Sequence, residues 1–421
     1  MLQVLGTSWA LLLGLMLLML GNGLQGTLLG VRGEIEGFST FEMSLVMSAY
    51  FAGFLGGSRL APEMIRRVGH VRVFAALGSF ISAVLILYPA YPNPWAWSIE
   101  RVIIGFCFSG VYVTAESWLN NAASNENRGK SLALYMIVQV LGIMAAQGIL
   151  LLGDPAGFIL FIVPSILVSI SFAPILLSIS PTPAFETTRP MSLKELFQTS
   201  PLSLVGVFLV GGAFSAQFGM AAVFGTQAGL TLPQISLFIT MFYLGAVLSL
   251  FPLGWLSDRM DRRLLIAIEA IIGGVGAGIG WMLGESYVAL LVAALFIGGM
   301  TNPLYSLLLA YLNDLLEHDQ MAAGSAGMMF VNGLGAIGGP ILTGYAMTLA
   351  GPGGFFLFIA VLLLATAGYA FYRMTQRPSV ASEDTGAYAP VFMSSTPVAV
   401  EAAQEWAYEV AEEAAAEESE T

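Results

Sequence analysis

Charged residues, cysteine and histidine are all scarce in this 421-residue chain. Only 10% of the residues are charged, against about a quarter in soluble globular proteins, which argues against an ordinary water-soluble domain. The single cysteine, Cys107, excludes an intramolecular disulfide. Neither His70 nor His318 belongs to a cluster with metal-ligand spacing, and no Walker loop is present, so we expect no cofactor and no ATP-driven step within the chain.

Long apolar runs take the place of charge, because hydrophobic residues make up 57% of the chain. A membrane-spanning helix needs about 20 mostly apolar residues. Twelve runs meet this requirement, at 8–30, 41–61, 71–91, 97–120, 131–152, 157–179, 201–224, 235–256, 264–284, 287–312, 322–349 and 354–373. The first run is too long for a signal-peptide core, so we interpret it as a retained helix. The sequence therefore predicts an all-α membrane protein with twelve transmembrane helices.

Lys and Arg lie almost entirely on one side of this topology. Thirteen of the fifteen fall in loops after even-numbered helices or near the termini, while Arg32 lies on the other side and Arg101 within a helix. Because positive charge is retained in the cytoplasm, both termini are predicted to be cytoplasmic. Of the net charge of −12, residues 374–421 contribute −9, so the acidity belongs to the tail and not to a substrate site.

Two charged turns are spaced 192 residues apart. The turn at 254–263 reads GWLSDRMDRR, and the ungapped partner at 62–72 reads PEMIRRVGHVR. In this pairing Arg67 stands opposite Arg259, while Arg66 replaces the acidic Asp258. The same offset pairs Gln25 with Gln217. This spacing predicts a duplicated six-helix unit.

The second turn resembles the signature loop of the major facilitator superfamily, which joins the second and third helices of each half. The RVIIG stretch in helix four resembles the Arg-x-x-x-Gly pattern of that family, and NNAASNENRGKSLALYMI resembles a poorly characterised bacterial branch. The resemblance implies two pseudo-symmetric six-helix bundles, at 1–180 and 201–373, in a bacterial inner membrane. A cytoplasmic linker at 181–200, with a short amphipathic helix at SLKELF, would join them, and an acidic, mostly disordered tail would occupy 374–421.

Helix four carries the most informative polar residues. At 100° per residue, Arg101, Tyr112 and Glu116 lie within about 60° of arc, and burying such a charge in a membrane costs several kcal/mol unless it is paired or hydrated. Arg101 would either hold an anionic substrate group or extend to the outer interface. Glu116 would either carry a proton or pair with Arg66 or Arg67.

Family geometry implies that helices one, four, seven and ten line a central cavity. This places seven residues at the substrate: Asn22, Gln25, Arg101, Tyr112, Gln217, Asn302 and Tyr305. The two motif loops are predicted to form a cytoplasmic gate. Its residues are Arg66, Arg67, Gly69, Gly254, Asp258, Arg259, Arg262 and Arg263. We also hypothesise that Asp258 pins the inner gate of the second bundle to Arg259 or a neighbouring helix end.

These residues predict a secondary active transporter for a small polar or anionic organic solute, working by alternating access as a monomer in the lipid bilayer. Protons are a candidate coupling ion, with Glu116 as their carrier. Helix five departs from the glycine–proline pattern of proton antiporters at Ala146 and Gln147, which counts against drug efflux. An uncoupled facilitator, a drug-type antiporter and a non-transporting sensor or scaffold remain open alternatives. We expect neither an enzyme, since no nucleophile–base pair is evident, nor a nucleic-acid partner.

Overall fold

The computed structural model describes residues 2–122, 125–177, 190–376, 385–386, 388–393 and 395–420, and these contain helices but no β-strand. The helices are α1 Leu2–Ile35, α2 Thr40–Val68, α3 His70–Ala90, α4 Pro94–Ala122, α5 Asn125–Leu150, α6 Ile159–Leu177, α7 Leu193–Thr199, α8 Pro201–Gln227, α9 Leu232–Ser257, α10 Arg262–Met282, α11 Tyr287–Asn313, α12 His318–Ala350, α13 Gly354–Met374 and α14 Pro397–Glu420.

Ten of the described helices are long and apolar enough to cross a membrane. They are α1, α3, α4, α5 and α8 to α13. The apolar part of α6, Ile159–Ala173, is shorter, and α2 is too polar towards its ends to join the ten. The described part of the chain therefore has ten clear candidate spans, and the twelve-span topology remains a prediction for α2 and α6.

Helix boundaries repeat at the offset of the two motif turns. Moving the bounds of α3 by 192 residues gives the bounds of α10, Arg262 and Met282, and the same shift carries the first residue of α2 to the first residue of α9. Each half also makes the same helix pairs, so that α2 packs on α4 as α9 packs on α11. The structure thus contains the duplicated unit that the turns predicted.

Glycines allow the closest of these helix pairs. A Cβ atom added at Gly53 on α2 would collide with the backbone carbonyl oxygen of Val102 on α4. At the equivalent position of the second half, Gly245 on α9 meets the carbonyl oxygen of Leu295 on α11 in the same way. Small residues let membrane helices approach closely enough for backbone packing. These two contacts hold the inner scaffold of each half.

The long helices alternate in direction, so the molecule has two ends. We call the end with the turns at 68–70 and 257–262, residues 190–200 and the described tail the tail face, and the end with the turns at 36–39 and 228–231 the opposite face. The halves contact each other through α1 with α8, α2 with α12 and α5 with α9. At the opposite face, the Gln227 Nε2 atom donates to Thr40 Oγ1 at 2.6 Å.

The predicted linker and tail are only partly described. Residues 181–189, 377–384, 387, 394 and 421 lie outside the described residues. The predicted short helix is present as α7, where Ser192 and Glu195 form a capping box and Leu196 is buried.

The described tail differs from the solvated, mostly disordered extension that we expected. Val391, Phe392 and Met393 are buried, and so are Val400 and Ala403 on α14. The apolar stretch from Tyr388 to Met393 is short and lies among Ser, Thr and Pro, so composition alone favours disorder there. In the structure it lies between the two halves at the tail face, where its apolar side chains leave water.

The close glycine contact predicts a loss of stability on adding a single methyl group. Gly53→Ala should destabilise the fold by about 1–3 kcal/mol, the usual cost of overpacking a core, and lower the apparent melting temperature of the purified protein in detergent. Gly56→Ala on the same helix is the matched control, since its Cβ would meet only the Phe106 ring at 3.9 Å. Equal melting temperatures for the two variants would contradict the packing described here.

Candidate functional site

A central cavity lies between the halves and is lined by eight helices and the tail. The helices are α1, α2, α4, α5, α8, α9, α11 and α12, so α2, α5, α9 and α12 join the four that were expected. Its volume is about 80 Å³, well below the roughly 300 Å³ at which drug-sized ligand sites begin. Phe392 and Met393 of the tail form part of its wall, so the tail fills space that the helices leave open.

Aromatic rings form the largest part of the wall. Tyr50 and Phe54 project from α2 one turn apart, and Phe214 and Phe218 do the same from α8. The ring centroids of Tyr50 and Phe218 lie 5.8 Å apart, so the two halves meet through these rings. Such a surface suits the flat or apolar part of an organic solute.

A chain of hydrogen bonds runs from a buried cation to the polar side of the cavity. The Arg101 Nη1 atom donates to Gln25 Oε1 at 3.0 Å, and Gln25 Nε2 donates to Asn22 Oδ1 at 3.0 Å. Asn22 Nδ2 then donates to the Tyr112 hydroxyl at 2.8 Å. Because a guanidinium only donates, it fixes the orientation of both amides. The chain therefore turns an N–H group of Asn22 towards the cavity wall.

Arg101 lies behind this wall and does not line the described cavities. Its side chain is fully buried, its guanidinium carbon lies 4.6 Å from the Tyr50 ring centroid, and Nη2 contacts the Met47 sulfur at 3.6 Å. Among the described residues it has no acidic partner, and its Nε atom has no hydrogen-bond acceptor. The structure does not support extension to the outer interface, and Arg101 acts on the cavity through Gln25 and Asn22.

The remaining predicted substrate residues are divided between sites. Asn302 lines the central cavity and donates to the Gly298 carbonyl oxygen at 3.2 Å. Gln217 lines a smaller adjoining cavity of about 20 Å³ with Asn22 and Gln147, and its Oε1 atom has no described partner. Tyr305 is buried outside both cavities, with its hydroxyl unpaired among the described residues.

Glu116 is buried on the tail side of the cavity and is held by hydroxyl and backbone donors. The Tyr135 hydroxyl donates to its carboxylate at 2.5 Å, and the backbone N–H of Thr396 donates at 3.2 Å, with a further bond from the Thr396 hydroxyl. The predicted pairing with Arg66 or Arg67 is absent from the described structure. Glu63 lies one turn away on their own helix and binds both, which is why they do not reach Glu116.

The first motif turn is exposed. Hydrogen bonds from Arg67 and Arg66 lower the pKa of the Glu63 carboxyl, and the side chains of both arginines are more than 60% exposed. Gly69 joins α2 to α3 with φ +85°, a conformation that favours glycine. This turn therefore contributes shape and positive charge to the tail face.

The second motif turn contacts the tail. A Cβ at Gly254 would lie 2.9 Å from the Tyr388 ring, and Asp258 accepts a hydrogen bond from the Tyr388 N–H at 3.2 Å. Arg259 stacks on Trp255, 4.3 Å from the ring centroid. Of the two partners that the hypothesis gave Asp258, Arg259 is not the one found, because its guanidinium stacks on Trp255 one turn earlier. Asp258 instead lies 3.8 Å from Arg262 at the start of α10, which is the neighbouring helix end.

A buried ion pair lies beneath this turn. Arg262 Nη1 lies 2.5 Å from Asp314 Oδ1, and both side chains are at most 2% exposed. Arg262 also donates to Ser257 and to the carbonyl oxygen of Gly386 in the tail. Arg263 binds Asp261 instead, at 2.7 Å. Among the described gate residues, Arg262 thus joins the ends of α10 and α11 to the tail, and Asp258 at the end of α9 binds the tail as well.

Sequence reasoning missed several wall residues. They are Tyr50, Phe54, Phe214, Phe218, Tyr243, Gln139 and Asn332. The pairs of aromatic residues four positions apart on α2 and α8 were a usable signal, but such pairs also occur in ordinary cores. Among the described residues, no group of three metal-ligating side chains could hold a metal ion.

Comparison with known proteins relates the chain to one family. The family model described as Major Facilitator Superfamily matches residues 11–232 and 203–407. An uncharacterized MFS-type transporter YcaD from Escherichia coli O6:K15:H31 is 27% identical over 376 residues, covering 85% of this chain and 95% of that protein. Its counterpart from Salmonella arizonae is 25% identical over 370 residues, with the same coverage.

Two solved structures share the fold. A mutant of the nucleoside transporter NupG has a TM-score of 0.73 at 14% identity, covering 87% of this chain and 99% of the other. The human organic anion transporter MFSD10 (TETRAN) has a TM-score of 0.60 at 14% identity, covering 86% and 98%. At these identities the likeness concerns the fold alone.

The buried ion pair predicts a large effect from removing one partner. Asp314→Ala leaves the buried Arg262 charge with only the half-exposed Asp258, 3.8 Å away. Removing one partner of a buried ion pair typically costs about 3–5 kcal/mol, so the apparent melting temperature should fall markedly. Glu63→Ala is the control, because exposed ion pairs contribute about 0–1 kcal/mol. A control variant that melts as early as Asp314→Ala would contradict this assignment.

Proposed function

The chain belongs to the major facilitator superfamily and is a multi-pass membrane transporter, and we propose that it carries a small polar or anionic organic solute by alternating access. It is a transporter and not an enzyme, as its family and relatives indicate. The observation that carries the substrate class is the wall itself, in which aromatic rings face an amide whose donor is oriented by a buried cation.

The wall supports a solute with two parts. A flat or apolar part would contact Tyr50, Phe54 and Phe218, and a carbonyl or carboxylate oxygen would accept from Asn22. Arg101 favours negative charge at that place, because its own charge is not neutralised by a described acid and the surroundings screen it weakly. A lipophilic cation would meet repulsion there, so a drug-type antiporter is the weaker alternative.

Contacts between the halves support alternating access. Helix ends of the two halves touch at the opposite face, as in the Gln227–Thr40 bond, while at the tail face the tail lies between them. This arrangement corresponds to a transporter closed on one side of the membrane. With the tail face assigned to the cytoplasm by its Lys and Arg, the described state is closed towards the outside.

The substrate proposal predicts a ligand that depends on Asn22. A thermal-shift screen of the purified full-length protein, with nucleosides and organic anions in the library, should yield a ligand that raises the apparent melting temperature. At 100 times its Kd a ligand stabilises the folded state by about 2.7 kcal/mol. Asn22→Ala should weaken binding about tenfold, the loss of one hydrogen bond of about 1.4 kcal/mol.

The matched control is Gln376→Ala, which removes an exposed amide at the end of α13. It should bind the ligand as the unmodified protein does. Arg101→Met should weaken an anionic ligand more than an uncharged one. Binding that is unchanged in Asn22→Ala, or stronger for cations than for anions, would overturn the substrate class.

Proton coupling through Glu116 forms the second part of the proposal. In proteoliposomes, Glu116→Gln should abolish accumulation driven by a pH gradient while leaving counterflow exchange, since the amide keeps the shape but binds no proton. Glu269→Gln is the comparison, because Glu269 is also fully buried and has no described hydrogen-bond partner. Loss of coupling in Glu269→Gln alone would move the proton site to the second half, and intact coupling in Glu116→Gln would reject the assignment.

A further inference from the structure

The tail bridges the two halves at the face where their helices are apart. We refer to residues 385–407, without 387 and 394, as the tail segment. On the first half, Thr396 binds Glu116 on α4, and the Trp406 ring packs on Gly129 of α5. These contacts reach the side of the cavity that belongs to the first half.

On the second half the tail segment is bound through its backbone. The Gly386 N–H donates to Asp314 Oδ1 at 3.0 Å, and the Gly386 carbonyl oxygen accepts from Arg262. Deeper in, Ser306 Oγ donates to the Val391 carbonyl oxygen at 2.7 Å. Backbone groups satisfied in this way can stay in a buried position, so the segment is seated in a specific register.

The tail segment also lines two cavities. Phe392 and Met393 line the central cavity of about 80 Å³, whereas Pro397 and Val398 line a larger cavity of about 530 Å³ at the tail face. Both cavities share helix residues, among them Leu55. The tail thus lies where the substrate site would open to the tail face.

We propose that the tail segment is a plug, which closes the tail-face opening of the cavity and must leave before the two halves can rock. This inference rests on the proposed function only for its consequence, a limit on turnover. The occupant is the chain's own C-terminal segment, and the site is the groove formed by Glu116, Ser306, Arg262 and Asp314.

The tail segment cannot stay docked while the helix ends close at the tail face. Helix ends that approach at the tail face, as alternating access requires, would have to occupy the place of Val391 and Phe392. A docked tail also covers the exit of the cavity. It therefore arrests the cycle in both directions, and its release sets how often the transporter turns over.

Cysteine labelling tests the plug without any knowledge of the substrate. In a Cys107→Ser background, Ala336→Cys places a thiol in the cavity wall, and a membrane-impermeant maleimide is added to inverted membrane vesicles, which expose the cytoplasmic side. We expect labelling at least tenfold faster in a chain ending at residue 376 than in the full chain. Arg72→Cys, exposed on α3, should label equally in both.

A second variant covers the case in which truncation disturbs folding. The full-length double substitution Phe392→Ala with Met393→Ala removes the side chains that enter the cavity and should also speed labelling of Ala336→Cys. A synthetic peptide of residues 385–407 should protect the truncated chain again. Equal labelling rates in the full, truncated and doubly substituted chains would reject the plug.

The labelling experiment tests the plug separately from the proposed function. If the plug is correct and the chain carries no solute, labelling still depends on the tail while every transport assay stays negative. If transport is found and labelling ignores the tail, the plug alone is rejected. For any solute that the chain carries, truncation after residue 376 should raise the flux several-fold.

Discussion

Polar groups within an apolar bundle are stabilised by partners inside the protein, because lipid tails offer them no hydrogen bonds. The buried guanidinium of Arg101 needs the most hydrogen-bond acceptors. Gln25 Oε1 supplies one of them at 3.0 Å. Once Gln25 is oriented, Asn22 is oriented as well, and with it the donor that lines the cavity. The donor that lines the candidate site is thus oriented by Arg101, which does not itself line the cavity. The same hydrogen bonds join α1 to α4.

The duplicated halves share a backbone plan but hold their tail-face ends differently. Arg262 in the second half is buried against Asp314, whereas His70, at the equivalent position, pairs with Ser117 at 3.0 Å. The first turn stays exposed, while the second binds the tail through Asp258 and Arg262. The second half therefore anchors the tail through Asp258 and Arg262, which bind its backbone. The first half binds Thr396 of the tail at the buried carboxylate of Glu116.

The helices, the turns and their repeat were predictable from the sequence. The contacts that buried side chains make with residues distant in the chain were not. The 192-residue offset predicted the duplicated unit, since helix length and turn position are local properties of the chain. Glu116 and Arg101 were correctly chosen as buried groups, yet their partners were wrong or missing. Glu63 competes for Arg66 locally, and Thr396 lies 280 residues from Glu116, a distance that no spacing rule spans. The prediction of a disordered tail was wrong for the same reason. The few apolar residues of the tail become buried only when both halves surround them.

On the plug proposal, the tail and the helix ends compete for one volume, and that competition defines a two-state element. With the tail docked, Glu116 accepts from Thr396 and Tyr135. With the tail released, the buried carboxylate loses the Thr396 donors and keeps only the hydroxyl of Tyr135 on α5. A charge held there by fewer donors is more costly unless it gains water, a proton or a new partner. If Glu116 is the proton carrier proposed above, release of the tail and protonation of Glu116 would favour each other. On the two proposals taken together, one carboxylate would link the opening of the cavity to the step that energises transport.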